Sequence, residues 1–183
     1  MGSDIIGKVR KNLSTEQPST RGPRFAAVSV IFRGAEHPSV LLIKRAEHAG
    51  DPWSGQIAFP GGKAQPGDVS ARDTAVRETL EEVGFDLNGT AEFLGYGGLA
   101  ATHTGSMDVV PSVFALKKEV EVKLNEEVFS YRWAGMKELL SPEARTTHRL
   151  EFEGNAVGMP AYAVGDYVVW GLTHRILGSL LQE

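Results

Sequence analysis

Three glutamates on one short helix constrain this chain more than any other feature. Residues 70–83 read as a helix, with Ser70 placed to cap its start and Gly84 placed to end it in a left-handed conformation. Within it runs Arg77-Glu78-Thr79-Leu80-Glu81-Glu82-Val83-Gly84-Phe85. Positions four apart lie over one another on a helix, so Glu78 and Glu82 share a face, with Glu81 one turn from Glu78. Ala75, Val76, Thr79, Leu80 and Val83 cover the remaining sides and can pack inward. Like charges at this spacing repel by about 0.2–0.5 kcal/mol per pair, and a divalent cation between them reverses that sign. Carboxylates without His or Cys partners suit a hard cation, Mg2+ or Mn2+, with water completing the shell. On an arbitrary helix the same residues would form a solvated face, with Arg77 paired to Glu81. The context argues for more: Phe59-Pro60-Gly61-Gly62 is a tight turn fifteen residues upstream of Arg77. Glycines there permit close backbone approach, so a carbonyl can reach the cation while space remains for phosphates.

Composition narrows the function classes. The 183 residues fit a single domain, and 42% hydrophobic with 23% charged residues is globular composition. Lys plus Arg is 19 against 23 for Asp plus Glu, a net charge of −4. That balance disfavours a nucleic-acid or anionic-membrane surface but not a small polyanion in a local basic pocket. No apolar run is long enough to span a bilayer, and residues 1–13 lack the apolar core of a signal peptide. Cysteine is absent, which removes disulfides, thiolate nucleophiles and Cys-ligated metals and fits a cytoplasmic setting. His37, His48, His103, His148 and His174 show no zinc-type spacing. Neither a serine-hydrolase elbow nor a P-loop occurs.

Along the chain, Ile5, Ile6, Val9 and Leu13 recur at helical spacing, and residues 14–23 read as a polar linker. The expected organisation is an N-terminal helix and linker over 1–23 and one domain over 24–183. Strands are expected at 25–32 and 40–43, paired as a hairpin, then at 57–59, 93–99, 109–116 and 128–133. A short helix follows near 136–140, and 149–152 with 161–164 read as a second hairpin. Val168, Leu172, Ile176, Leu177, Leu180 and Leu181 make an amphipathic closing helix over 168–181. Phe32, Phe59, Phe93, Phe114, Trp133 and Trp170 read as core. Strands outnumber helices without regular alternation, which is an α+β pattern with a mixed sheet.

The glutamate helix and its glycine turn resemble the Nudix box. The family pattern is Gly, five residues, Glu, seven residues, Arg-Glu, an apolar residue, any residue, Glu-Glu, any residue, Gly, and an apolar residue. Here Gly62 is followed after five residues by Asp68, and eight more residues separate Asp68 from Arg77. The acid is Asp, the loop is one residue longer, and Thr79 takes an apolar position. The resemblance implies an α/β/α sandwich whose mixed sheet carries the carboxylate helix on one face. It implies Glu78 and Glu82 as principal metal ligands, Glu81 as an auxiliary one, Arg77 as the residue orienting them, and Gly62 as a carbonyl donor. The reaction implied is Mg2+- or Mn2+-dependent attack of water on a diphosphate linkage in a small nucleotide. Homodimers are common in the family.

Leu41-Leu42-Ile43-Lys44-Arg45, Gly55 to Lys63, Val109 to Val113 and Val169 to Leu177 look like the coenzyme A pyrophosphatase branch, over about residues 24–182. The stretch 46–54 departs from that branch: an Arg is missing and His48 is out of register. ADP-ribose, dinucleoside polyphosphates and nucleotide sugars therefore stand as alternative substrates, and a non-catalytic nucleotide-binding module as an alternative class. A phosphate substrate needs cations besides the metal, and Arg24, Lys44, Arg45 and Lys63 lie near the glycine turn. Lys44 and Arg45 are expected to end their strand facing the same loop. Trp53 is a candidate platform for a base, or a buried loop anchor. Glu126 and Glu127 are candidates for a remote base, and His103 lies in a loop that could reach the site.

Overall fold

The computed structural model describes residues 4–50, 53–102, 105–152 and 155–182. The chain runs α1 (Ile5–Lys11), β1 (Phe25–Arg33), β2 (Ser39–Arg45), β3 (Ile57–Ala58), β4 (Gly61–Lys63), α2 (Ala71–Val83), α3 (Leu87–Thr90) and β5 (Ala91–Tyr96). Then come β6 (Ala100–Ala101), β7 (Asp108–Leu116), β8 (Val128–Gly135), α4 (Met136–Leu139), a 3-10 turn (Pro142–Ala144), β9 (Arg145–Phe152), β10 (Asn155–Val164), β11 (Tyr167–Trp170) and α5 (Gly171–Leu181).

The defining feature is a fork. β1 and β2 pair only where they join, at Phe32 with Val40 and Arg33 with Ser39. They then diverge, and residues 57–63 enter the gap. β3 pairs with β2, Ile43 opposite Ala58, while β4 pairs with β1, Ala27 opposite Gly62. The crossing is pinned from both sides: Ser29 N–H donates to Pro60 O at 2.8 Å and Arg45 N–H to Gln56 O at 3.0 Å. β7 continues the sheet parallel to β1, β5 and β6 lie antiparallel to β7, and β8 lies antiparallel to β2. The expected hairpin therefore exists only at its turn.

Alternation along β1 and β2 sends side chains to two separate cores. Ala27, Ile31, Leu41 and Ile43 face α2, where they meet Ala71, Ala75, Val83, Val110 and Phe114. Val30, Phe32, Val40 and Leu42 face the other side, against α1, α4, α5 and the small sheet β9–β10–β11. The result is the expected mixed sheet between helical layers. No described helix is long and apolar enough to cross a membrane.

α2 is closed at both ends as its sequence dictates. Ser70 Oγ accepts from Asp73 N–H at 3.2 Å, and Gly84, at φ 80°, returns its N–H to Leu80 O at 3.1 Å. A further cap comes from residue 17, since Gln17 Oε1 accepts the Ala71 N–H at 2.6 Å. Residues 14–23 thus lie against the domain. Ser14 bridges to Tyr96, and Arg21 holds buried Asp108 through its backbone N–H at 2.6 Å and its Nε at 2.7 Å.

Several boundaries differ from expectation. The closing helix starts at Gly171, because Tyr167–Trp170 pairs with β10 across the two-residue turn Gly165-Asp166. Val168 is consequently an exposed strand residue. The fourth strand group ends at Tyr96, where Gly97 N–H turns to Pro111 O. β9 and β10 do pair, over longer spans than expected, with Thr146 opposite Ala161 and Arg149 opposite Gly158. Leu80 is exposed, since α2 presents Thr79 and Glu82 to the sheet in its place. Trp133 and Trp170 are half-buried, the first under the Arg33 guanidinium at 4.4 Å and the second stacked on His148 at 4.4 Å. Replacing Gln17 by Ala orphans the Ala71 N–H and is expected to cost about 1 kcal/mol of stability, measured by urea unfolding.

Candidate functional site

The C-terminal half of α2 lies over the fork. Glu82 is 1% exposed, and its Oε2 accepts the Gly61 N–H at 2.8 Å. Its Oε1 faces Arg45 Nη1 at 3.8 Å. Burial pushes the Glu82 carboxyl up to about 8, against the Gly61 hydrogen bond, with added repulsion from Glu78 and Glu127. The glutamate expected to face solvent is thus the most enclosed of the three. Glu78 is also raised, chiefly by burial, with Arg77 opposing and Glu81 and Glu127 adding repulsion. Glu81 lies on the outer side, 3.4 Å from Arg77 Nη1.

The two glycines are fixed by contact. A Cβ on Gly61 would strike Ala27 O and Val28, and one on Gly62 would overlap the Glu78 carboxylate. The turn can therefore slide under the helix only as glycine.

Arg77 ties the parts together. Its Nη1 donates to Glu78 Oε1 at 2.8 Å, its Nη2 to Lys63 O at 3.1 Å, and its Nε and Nη2 grip Asp68 at 3.2 and 2.9 Å. Asp68 also accepts from Gln65 N–H and Thr74 Oγ1, each at 2.9 Å. The Arg77 hydrogen bonds hold its carboxyl down at about 2. Asp68 closes the lengthened loop onto Arg77, a role its sequence position left open. Thr79 is explained as well: its Oγ1 meets Ser29 Oγ at 2.6 Å, and both hydroxyls reach Ala75 O inside the core.

The loop after β7 completes the rim. Lys123 N–H donates to Val83 O at 2.9 Å and Asn125 N–H to Glu82 O at 3.2 Å, which covers the last carbonyls of α2. Asn125 Oδ1 then accepts the Glu127 N–H, and Glu127 O accepts from Ala46 N–H. These bonds bring Glu127 close enough to act on Glu78 and Glu82. Asn125 carries no motif signal and was missed by sequence reasoning; its polar type beside an acidic pair was the sole cue.

The expected cations separate. Arg45 belongs to the cluster, but Lys44 points to the opposite sheet face, its Nζ 5.2 Å over the Phe129 ring, because successive strand residues alternate. Lys63 is exposed and enters the site through its carbonyl. Trp53 is 45% exposed in its loop, which excludes the buried-anchor reading. His103 lies outside the described residues.

Among the described residues, no three acidic or histidine side chains stand already closed around one point. The donor set nevertheless fits a divalent cation. Glu78 and Glu127 raise the proton affinity of Glu82, and Glu127 adds to that of Glu78, in a partly buried space where Arg45 and Arg77 are the facing cations. All the donors are hard oxygens.

A family profile described as the NUDIX domain matches residues 23–152, and the chain belongs to the Nudix family. It is 32% identical over 166 residues to a Nudix hydrolase of Yersinia pestis named NudL, covering 87% of this chain and 79% of the relative. It is 39% identical over 151 residues to protein C14C4.10c of Schizosaccharomyces pombe. That match takes in 79% of this chain, which spans only 44% of the yeast protein's length. In fold it is similar to a MutT/nudix family protein from Enterococcus faecalis, with a TM-score of 0.56 and 21% identity. That likeness covers 90% of this chain and 63% of the other.

Asp68→Asn removes the carboxylate from Arg77 and is expected to cost about 2 kcal/mol at neutral pH. Because the native carboxyl is depressed, its contribution is full above the ordinary carboxylate range and fades as pH falls toward about 2. Urea unfolding of both proteins should therefore show a gap at pH 7 that closes in acid.

Proposed function

We propose that this protein is a metal-dependent pyrophosphohydrolase that cleaves a diphosphate linking a nucleoside to another moiety, with coenzyme A or its derivatives as favoured substrate. The observation that carries the reading is buried Glu82 and half-buried Glu78 laid over Gly61-Gly62, with Arg45 beside Glu82. In this reading Glu78 and Glu82 hold the cation, Glu81 assists, and Gly62 offers its carbonyl. Mg2+ or Mn2+, when bound, supplies charge neutralisation on the diphosphate and lowers the proton affinity of water. Arg77 fixes the direction of Glu78 while Asp68 and the Lys63 carbonyl fix Arg77. In this reading Glu127, whose N–H is held by Asn125, takes the proton lost by water, with Glu126 beside it as the other candidate base. Arg45 offers its guanidinium to a phosphate oxygen, and Lys63 a second cation at the mouth. No covalent nucleophile is needed, in keeping with a chain that lacks cysteine.

The coenzyme A preference is supported by residues 41–45, 55–63 and 169–177. Cleavage there would yield 3′,5′-ADP and a 4′-phosphopantetheine species. Exposed Trp53 favours a second reading, in which another base-bearing diphosphate such as ADP-ribose stacks on that loop.

A hydrolysis panel of coenzyme A, ADP-ribose, diadenosine tetraphosphate and a nucleotide sugar, with Mg2+ or Mn2+, tests the reading by product chromatography. Coenzyme A is expected to be cleaved best, and preference for another diphosphate would overturn the substrate. Glu82→Gln is expected to abolish most turnover without lowering the metal-free melting temperature, since the amide keeps an acceptor for Gly61 N–H and removes a buried charge. A folded, active Glu82→Gln protein would sink the metal assignment. Arg45→Ala is expected to raise KM more than it lowers kcat. The reverse split would assign Arg45 to holding Glu82 in place of binding phosphate.

A further inference from the structure

Among the described residues, the small sheet ends in an edge that no further strand pairs with. Among the described residues β9 pairs with β10 alone, and the order β11–β10–β9 leaves β9 outermost. Beyond the end of β11 the sheet is a two-stranded ribbon. On it Thr146, Thr147, Arg149 and Glu151 of β9, and residues 155–158 and Pro160 of β10, are exposed. Val157 is 41% exposed opposite Leu150. A two-stranded ribbon is marginal in water and gains from a further strand.

The hydrogen-bond phase of this edge can be worked out. Gly165-Asp166 is a two-residue hairpin turn, Gly165 at φ 59°, so its closing pair Val164–Tyr167 is a hydrogen-bonded pair. Pairs alternate along an antiparallel ladder, so Tyr162 also bonds toward β11, and residue 160 points that way too. Position 160 is proline, with no N–H to offer, and β11 has ended opposite it. The phase is therefore consistent: residues 161, 159, 157 and 155 bond to 146, 148, 150 and 152 of β9. The backbone N–H and C=O groups of Thr147, Arg149 and Glu151 therefore point away from β10, along the open edge, as does the C=O of Arg145, whose N–H is taken by Pro142 O of the preceding 3-10 turn.

We propose that this edge pairs with β9 of a second copy of the chain, antiparallel about a two-fold axis at His148. In that register Arg145 stands opposite the partner's Glu151 and Thr147 opposite the partner's Arg149, each twice by symmetry. Every outward residue of β9 then faces a partner in a hydrogen-bonding pair, about six bonds in all because the Arg145 N–H already serves Pro142 O. Two Arg–Glu pairs lie across the join, and no like charges face each other. An axis at Thr147 sets Arg145 against the partner's Arg149, and one at Arg149 sets that residue against itself. An axis at Leu150 leaves only Arg149 and Glu151 paired within the strand. The charge pattern of β9 thus selects itself as partner, and in one register.

Sedimentation velocity across a range of protein concentrations tests this. The wild-type chain is expected to be a dimer. Arg145→Glu places glutamate against Glu151, and Glu151→Arg places arginine against Arg145, so each alone is expected to be monomeric. Mixed in equal amounts, the two are expected to restore a dimer, because both cross-strand pairs are again of opposite sign. Arg149→Pro removes an N–H that faces the edge and no ladder bond to β10, and is expected to give a monomer with unchanged diphosphate hydrolysis. A wild-type monomer at every concentration overturns the proposal. So does a dimer that survives the charge reversals, or a mixture that stays monomeric.

Discussion

The backbone contact between Gly61 and Glu82 is the constraint around which the rest is arranged. A carboxylate that is almost fully buried accepts a main-chain N–H from a turn that has no room for a Cβ. For that contact to exist, β1 and β2 must separate, residues 57–63 must enter between them, and α2 must cross above. An isolated buried carboxylate is costly, and its proton affinity rises to about 8 as a result. The site is in this sense held in tension: the fold encloses a negative charge whose natural complement is a cation. In the proposed reading, metal binding and the architecture of the fork are two aspects of one arrangement.

Around this contact, charge is distributed with different purposes. Arg77 is saturated by Asp68, Glu78 and the Lys63 carbonyl, so it acts as a clasp joining helix, loop and strand. Arg45 comes from a different strand and faces Glu82 at 3.8 Å, so the two arginines serve different glutamates of the same helix.

The helix, the glycine turn and the sandwich were legible because they rest on local rules: spacing four on a helix, Ser70 and Gly84 at its ends, alternation in the strands. Other features depend on partners distant in sequence. The burial of Glu82 follows from the fork, which no helical periodicity encodes. Leu80 was expected inside, yet the buried Ser29–Thr79 hydroxyl pair takes the inward position, since Ser29 supplies a hydrogen-bond partner from another strand. Lys44 and Arg45 were read as neighbours facing one loop; strand alternation alone separates them. Gln17 looked like part of a tether, and its function as a helix cap appears only when residue 71 is brought beside it. The start of α5 was misplaced because Val168 continues the apolar period of the helix while sitting in a strand.

The parallel ladder between β1 and β7 bears on how the protein reaches this state. It joins residues 25–32 to 108–115, and everything that forms the fork and the carboxylate helix lies within the loop that it closes. Closing so long a loop loses chain entropy before the ladder returns any enthalpy, which slows folding of such topologies. α2 can begin to coil from its own caps, but Glu82 finds its enclosure only after β1 has its neighbours on both sides. The catalytic constellation is therefore a late event on the folding route. A newly made chain would carry its glutamates solvated and ionised until the sheet is complete.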